Sequence, residues 1–248
     1  LLKKITFAVV KSEVKYLKTS MAKTKKDENP STISSVEETL SRSEQYLEEN
    51  YKTLLIGLGV IVLLVGLFWL GKIYLNKRND EAQSQMFQAE RYLEIDSLKL
   101  ALNGDGNYLG FLDIAKDYKF TNSGNLAKYS AGICYLHMGN YNEAIDFLNK
   151  YSKKDKVIGS LAIGATGDAY VELGNIDKGI SKYIEAADFA KNSFNTPLFL
   201  MKAAELYELN SKFSEALKLY ERIQDQYPES TEGTTIEKYI ARVKLLIK

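Results

Sequence analysis

The sequence predicts an all-α chain: a single transmembrane helix followed by a solenoid of helix hairpins. Three observations carry this. Thr53 to Gly71 is a run of nineteen residues without a charge. The 248 residues include only three prolines, and Ala, Leu, Lys, Glu and Tyr are frequent, which favours helix. Beyond residue 125 the chain repeats itself at intervals of 35 and 37 residues.

Residues 1–34 read as a disordered tail, basic in its first part and polar in its second. Met21-Ala-Lys-Thr has the look of a translation start, so residues 1–20 read as an upstream extension. The rival reading is a basic arm carrying Lys3, Lys4, Lys11, Lys15 and Lys18. The apolar run Ile5–Val10 is too short for a signal-peptide core. A juxtamembrane helix is expected over 35–52. Ser34 and Glu37, or Ser35 and Glu38, have capping-box spacing. Val36, Leu40 and Leu47 give it a thin apolar stripe.

The uncharged run anchors a transmembrane helix placed at 53–75. At a rise of about 1.5 Å per residue its nineteen residues span roughly 28 Å, close to the hydrocarbon thickness of a bilayer. Tyr51 at one end and Trp69 and Tyr74 at the other fit interfacial anchors. Gly57, Gly59, Gly66 and Gly71 contain no GxxxG pair. Basic residues next to the span tilt slightly towards a cytoplasmic C-terminus. Lys23, Lys25 and Lys26 reverse that tilt, and the orientation favoured is N-terminus inside, large domain outside.

Residues 76–248 read as one repeat domain, long enough to hold its own core. Gly132, Gly167 and Ala204 correspond. Each is followed three residues later by a tyrosine (Tyr135, Tyr170, Tyr207), and twelve later by a small residue (Ala144, Gly179, Ala216). Leu148, Tyr183 and Tyr220 come four after that. Small residues let two antiparallel helices approach, and Gly139-Asn140 and Gly174-Asn175 end the first helix of a pair. Repeats are placed at about 125–158, 160–193 and 197–229. A degenerate one at about 81–120 has its first helix marked by Met86, Ala89, Tyr92 and Leu93 and its second at 108–118. Asn103-Gly104-Asp105-Gly106-Asn107 is the turn between them. It lacks the later glycine and closing glutamate of a calcium loop. A capping helix over 234–248 starts at a Thr234–Glu237 capping box and buries Ile236, Tyr239, Ile240 and Val243.

This pattern resembles the tetratricopeptide repeat, and Pro228 stands where that family commonly closes a repeat. Lys128, Ile163 and Leu200 replace its frequent tryptophan, and Ala131 and Thr166 its frequent leucine. The resemblance implies a protein-binding groove lined by the first helix of each pair. Its candidate residues are Tyr129, Ile133, Leu136 and His137, then Gly164, Asp168, Val171 and Glu172, then Met201, Glu205, Glu208 and Leu209. A carboxylate clamp would need lysine and asparagine where Tyr129, Ile133, Gly164 and Asp168 stand, so apolar or basic peptide segments are the expected cargo.

The residues themselves point away from catalysis. The single cysteine and single histidine, Cys134 and His137, cannot complete a zinc set. Gly66-x-x-x-x-Gly71-Lys72 lacks the hydroxyl residue of a phosphate loop. No GxSxG, HExxH or CxxC motif occurs. With 33 basic and 32 acidic residues, nothing points to nucleic acid. No metal, cofactor or small-molecule substrate is expected, and the chain reads as a non-enzyme.

The stretches Ala82–Phe87, Leu98–Leu112 and Gly124–Tyr129 resemble the membrane-anchored repeat family of ancillary Sec translocon subunits, in its Bacteroidota form. That resemblance implies an inner-membrane protein with a periplasmic repeat domain. Its partners would be exported chains, translocon subunits and periplasmic chaperones. The alternative is a structural component of an envelope or cell-division assembly, acting through repeat-to-repeat contacts.

Overall fold

The computed structural model describes the backbone of residues 30–247 and the side chains of 49–247. The basic extension at 1–20 and the rest of the tail to residue 29 lie outside the described residues, as do the side chains of the juxtamembrane capping boxes. Apart from one isolated bridge between Gly104 and Leu109, all regular structure among the described residues is helical. The chain divides into two compact units, Leu1–Trp69 and Leu70–Lys248.

Helix α1 (Pro30–Glu94) has 65 residues. Pro30 suits a first helical position, where its missing N–H costs nothing. Helix α1 thus takes in residues 30–34, which the sequence left in the tail. No proline follows until Pro197, so nothing interrupts the ladder. Among the described helices α1 alone is long and apolar enough to cross a membrane, and its most apolar window is wholly unburied. Ile56, Phe68 and Trp69 stand 69%, 70% and 65% exposed.

Within the second unit the end of α1 packs on α2 (Leu98–Asn103), α3 (Phe111–Asp117) and α4 (Asn122–His137). Then follow α5 (Tyr141–Lys150), α6 (Lys156–Glu172), α7 (Ile176–Ala190), α8 (Asn195–Leu209), α9 (Phe213–Gln226), a 3-10 turn (Gly233–Thr235) and α10 (Ile236–Leu246). From α4 onward each helix packs on the next, α4 also meets α6, and α6 meets α8. That is the neighbour-to-neighbour pattern of a solenoid of hairpins.

One turn motif recurs four times. Ser97, Asn140, Asn175 and Lys212 donate their N–H to the carbonyls of Tyr92, Tyr135, Tyr170 and Tyr207, at 2.8, 2.9, 2.8 and 2.8 Å. The residue before each donor takes a positive φ: Asp96, Gly139, Gly174 and Ser211. This is the Schellman closure. It makes Tyr92 the fourth member of the tyrosine series. The small-residue pairs follow suit: Ala89 with Ala101, Gly132 with Ala144, Gly167 with Gly179, and Ala204 with Ala216, all buried.

The first repeat differs from expectation in its second helix. That helix starts at Leu98, straight after the turn, and not at 108. It breaks after Asn103 and resumes as α3. Asp105 closes the intervening loop by accepting from the N–H groups of Asn107 and Tyr108 at 2.9 and 2.8 Å and from the Tyr92 hydroxyl at 2.7 Å. A second correction concerns the capping helix. Thr234 forms no cap; it lies in the 3-10 turn, and its hydroxyl donates to the Thr231 carbonyl. Ser230 takes the cap's place, its hydroxyl accepting from Gly233 N–H at 2.9 Å. Helix α10 still buries Ile236, Ile240 and Val243 against α9, with the Tyr239 ring tilted against that of Tyr220.

Candidate peptide-binding face

The first helices of the clear repeats are α4, α6 and α8, and the shared tyrosine sets one register for them. Counting from that tyrosine, Tyr129, Gly164 and Met201 form one row. Ile133, Asp168 and Glu205 form the next, then Leu136, Val171 and Glu208, then His137, Glu172 and Leu209. The rows differ in what they leave free.

The first row is packing. Tyr129 lies 5.8 Å from the Tyr151 ring and joins Ile133 and Leu136 against a core of Leu148, Tyr151, Ala162 and Ala165. A Cβ on Gly164 would stand 2.0 Å from the Phe199 ring, so the bare backbone is what lets α8 approach α6. Met201 and Val171 pack on the large C-terminal core cluster. The last row is open: His137, Glu172 and Leu209 are exposed, Leu209 by 80%. Glu205 is also exposed.

The two remaining carboxylates are occupied. Asp168 Oδ1 accepts from the Tyr183 hydroxyl at 2.6 Å and from Lys202 Nζ at 2.7 Å. Glu208 accepts from the Tyr220 hydroxyl at 2.7 Å and takes Arg242 as a fork, Nε at 3.0 Å and Nη2 at 2.7 Å. Such a fork is the strong form of this contact. Burial, and then the bond to the carboxylate, push the Tyr183 and Tyr220 phenols well above the ordinary tyrosine range. Glu172 accepts from the Tyr141 hydroxyl of the preceding repeat at 3.2 Å.

These contacts belong to a ladder that was missed in the sequence. Asp168–Lys202, Asp177–Lys212, Asp188–Arg222 and Glu208–Arg242 each join residues 34 or 35 positions apart. In all four the acid comes first and the base one repeat later. The signal was present as opposite charges at the repeat period. Such pairs contribute up to about 1 kcal/mol each where exposed. Asp177, 88% exposed at its side chain, is of that kind; Glu208, 12% exposed, is the most enclosed.

Cys134 and His137 do not act together. Cys134 is fully buried, and burial pushes its thiol up to about 12, whereas His137 is exposed at the end of α4. Among the described residues no group of three or more His, Cys, Asp or Glu is placed to hold a metal.

Two segments match the tetratricopeptide repeat, residues 126–155 and 199–230. They cover about a quarter of the chain and take in most of the hairpins α4–α5 and α8–α9. The hairpin α6–α7 lies between them with the same turn and register. A crystal structure of a putative kinesin light chain from Podospora anserina, described as having nearly identical TPR-like repeats, superposes with a TM-score of 0.52 at 16% identity. The match covers 68% of this chain and 87% of that one. At that identity the likeness shows the fold: a TPR-like helical repeat solenoid. No curated protein matches the chain. Repeats of this kind are protein-interaction scaffolds.

Proposed function

We propose that this protein is a membrane-tethered repeat scaffold that holds polypeptides near their exit from the Sec translocon and passes them to chaperones. In this reading residues 53–75 cross the inner membrane, the N-terminus is cytoplasmic, and the repeat domain at 76–248 is periplasmic. The observation that carries it is a long apolar helix with no protein cover, in one chain with a solenoid whose first-helix face keeps His137, Glu172 and Glu205 exposed. The Sec-related resemblance of residues 82–87, 98–112 and 124–129 supports the setting. Tethering raises the local concentration of the face at an exit site, so weak contacts suffice there.

The test is photo-crosslinking from His137, Glu172 and Glu205 in intact cells. Exported chains or translocon subunits are expected in the adducts. Adducts lacking both would overturn the reading. Protease shaving of spheroplasts should digest the repeat domain; full protection would reverse the orientation. A second reading has one observation behind it: α10 ends with Leu245 84% exposed and Leu246 beside it. Self-association through that end, without peptide binding, would support an envelope or cell-division assembly component instead.

A further inference from the structure

Alternating hairpins give the solenoid two edges. The turns that end each first helix, at 95–97, 138–140, 173–175 and 210–212, lie along one. The loops leading into the next repeat, at 118–121, 151–155, 191–194 and 227–235, lie along the other. Asparagines stitch this second edge together. Asn79 Oδ1 accepts from Ser123 N–H at 2.9 Å, Asn125 Oδ1 accepts from Ser152 N–H at 2.8 Å, and Asn195 Nδ2 donates to the Val157 carbonyl at 3.1 Å.

The loop edge begins beside the apolar end of α1. The Arg78 guanidinium stacks 4.2 Å from the Tyr118 ring and donates to the Asp117 carbonyl at 3.2 Å. Leu75 precedes Arg78 by three residues, about one helical turn. It is exposed, as are Leu70, Ile73 and Tyr74. The membrane-crossing reading therefore puts the first of these loops at the lipid surface.

The two edges differ in charge. The turn segments 94–99, 137–143, 172–178 and 208–215 each carry one more acidic than basic residue. The first three loop segments, 116–121, 151–157 and 190–194, each carry more basic than acidic ones, with Asp117 and Asp155 counted. The fourth loop holds Glu229 and Glu232 and no base, and it is farthest from α1 along the stack. Lys119, Lys153, Lys154 and Lys191 have no ion pair among the described residues. Phe120 and Phe194 stand on the same loops, 78% and 75% exposed.

We propose that this edge docks on the surface of an anionic bilayer. Lys119, Lys153, Lys154 and Lys191 face lipid headgroups, and Phe120 and Phe194 enter the interfacial layer. Basic residues combined with exposed aromatic ones are the chemistry of interfacial binding, and each lysine is attracted by a negative surface within a Debye length. The inference rests on the membrane-crossing reading above.

The test uses the full chain in phosphatidylcholine vesicles with and without phosphatidylglycerol, both containing a nitroxide-headgroup lipid. A fluorophore is attached through Phe120→Cys, Phe194→Cys or, on the opposite edge, Leu209→Cys; buried Cys134 does not compete for it. Quenching is expected at 120 and 194 in the anionic vesicles and not at 209. The triple variant K153E/K154E/K191E should lose most of it with its thermal unfolding unchanged. Equal quenching at all three sites, or none at 120 and 194, overturns the proposal. Quenching that follows protein density and not lipid charge would assign the edge to a second copy and also overturns it. Vesicle flotation separates the two readings. If the chain fails to float, both fall; if it floats with 120 and 194 unquenched, only the docking edge falls.

Discussion

Glu208 and Asp177 show how burial decides the worth of one ion pair. Both meet a base one repeat later, yet Glu208 is 12% exposed and Asp177 88%. Arg242→Ala strands an enclosed carboxylate with only Tyr220 to satisfy it and should cost about 1–2 kcal/mol in urea unfolding. Lys212→Ala should stay within about 0.5 kcal/mol of the parent. Equal costs would contradict the assignment. Gly164 is a second case. Alanine there gains about 1 kcal/mol of helix propensity but drives a methyl to 2.0 Å from the Phe199 ring. Overpacking costs about 1–3 kcal/mol, so Gly164→Ala should lower the melting temperature. The register of the candidate face was legible from the glycines and tyrosines. Which residues were engaged was not, because Lys202 and Arg242 act on carboxylates a whole repeat away in sequence.

The hairpin turn shows why some elements were legible and others were not. Gly139 and Gly174 announce a left-handed residue, and the sequence places the turn there. Asp96 and Ser211 adopt the same backbone without glycine, at a φ of 58° each. A non-glycine residue in that region costs about 1–2 kcal/mol, part of which glycine returns through its freer unfolded chain. Ser211→Gly should therefore raise stability by roughly 0.5–1 kcal/mol by thermal unfolding. No gain would mean that Ser211 is held by more than its turn. The same missing glycine hid the start of α2, since Tyr92 and Ala101 already carried the spacing of the later repeats. Eight extra residues between Tyr92 and Tyr135, relative to the interval from Tyr135 to Tyr170, made the loop at 104–110 look like the hairpin turn itself.

Across the whole solenoid the core is divided into clusters strung along the stack, with no single centre. Its pH response collects groups from all three, Tyr129 and Tyr151 of the middle one among them. Tyr183, Tyr220 and Cys134 all hold their protons more tightly when folded. Their contribution is complete below the unfolded values, 9.0 for the thiol and 10.0 for the phenols. Above these the unfolded chain releases protons that the folded one keeps, so stability falls as pH rises. Urea midpoints should decline from pH 9 to 11, less steeply in the Tyr183→Phe and Tyr220→Phe variants; a flat profile would contradict this. Helix α6 sets a condition on assembly. Its bare sides at Gly159, Gly164 and Gly167 receive the rings of Phe189, Phe199 and Tyr183, all of them later in the chain. Three glycines make it a weak helix alone. During synthesis about thirty further residues must therefore leave the ribosome before the last of these rings, Phe199, reaches it, and in that interval the growing chain is open to capture by other proteins.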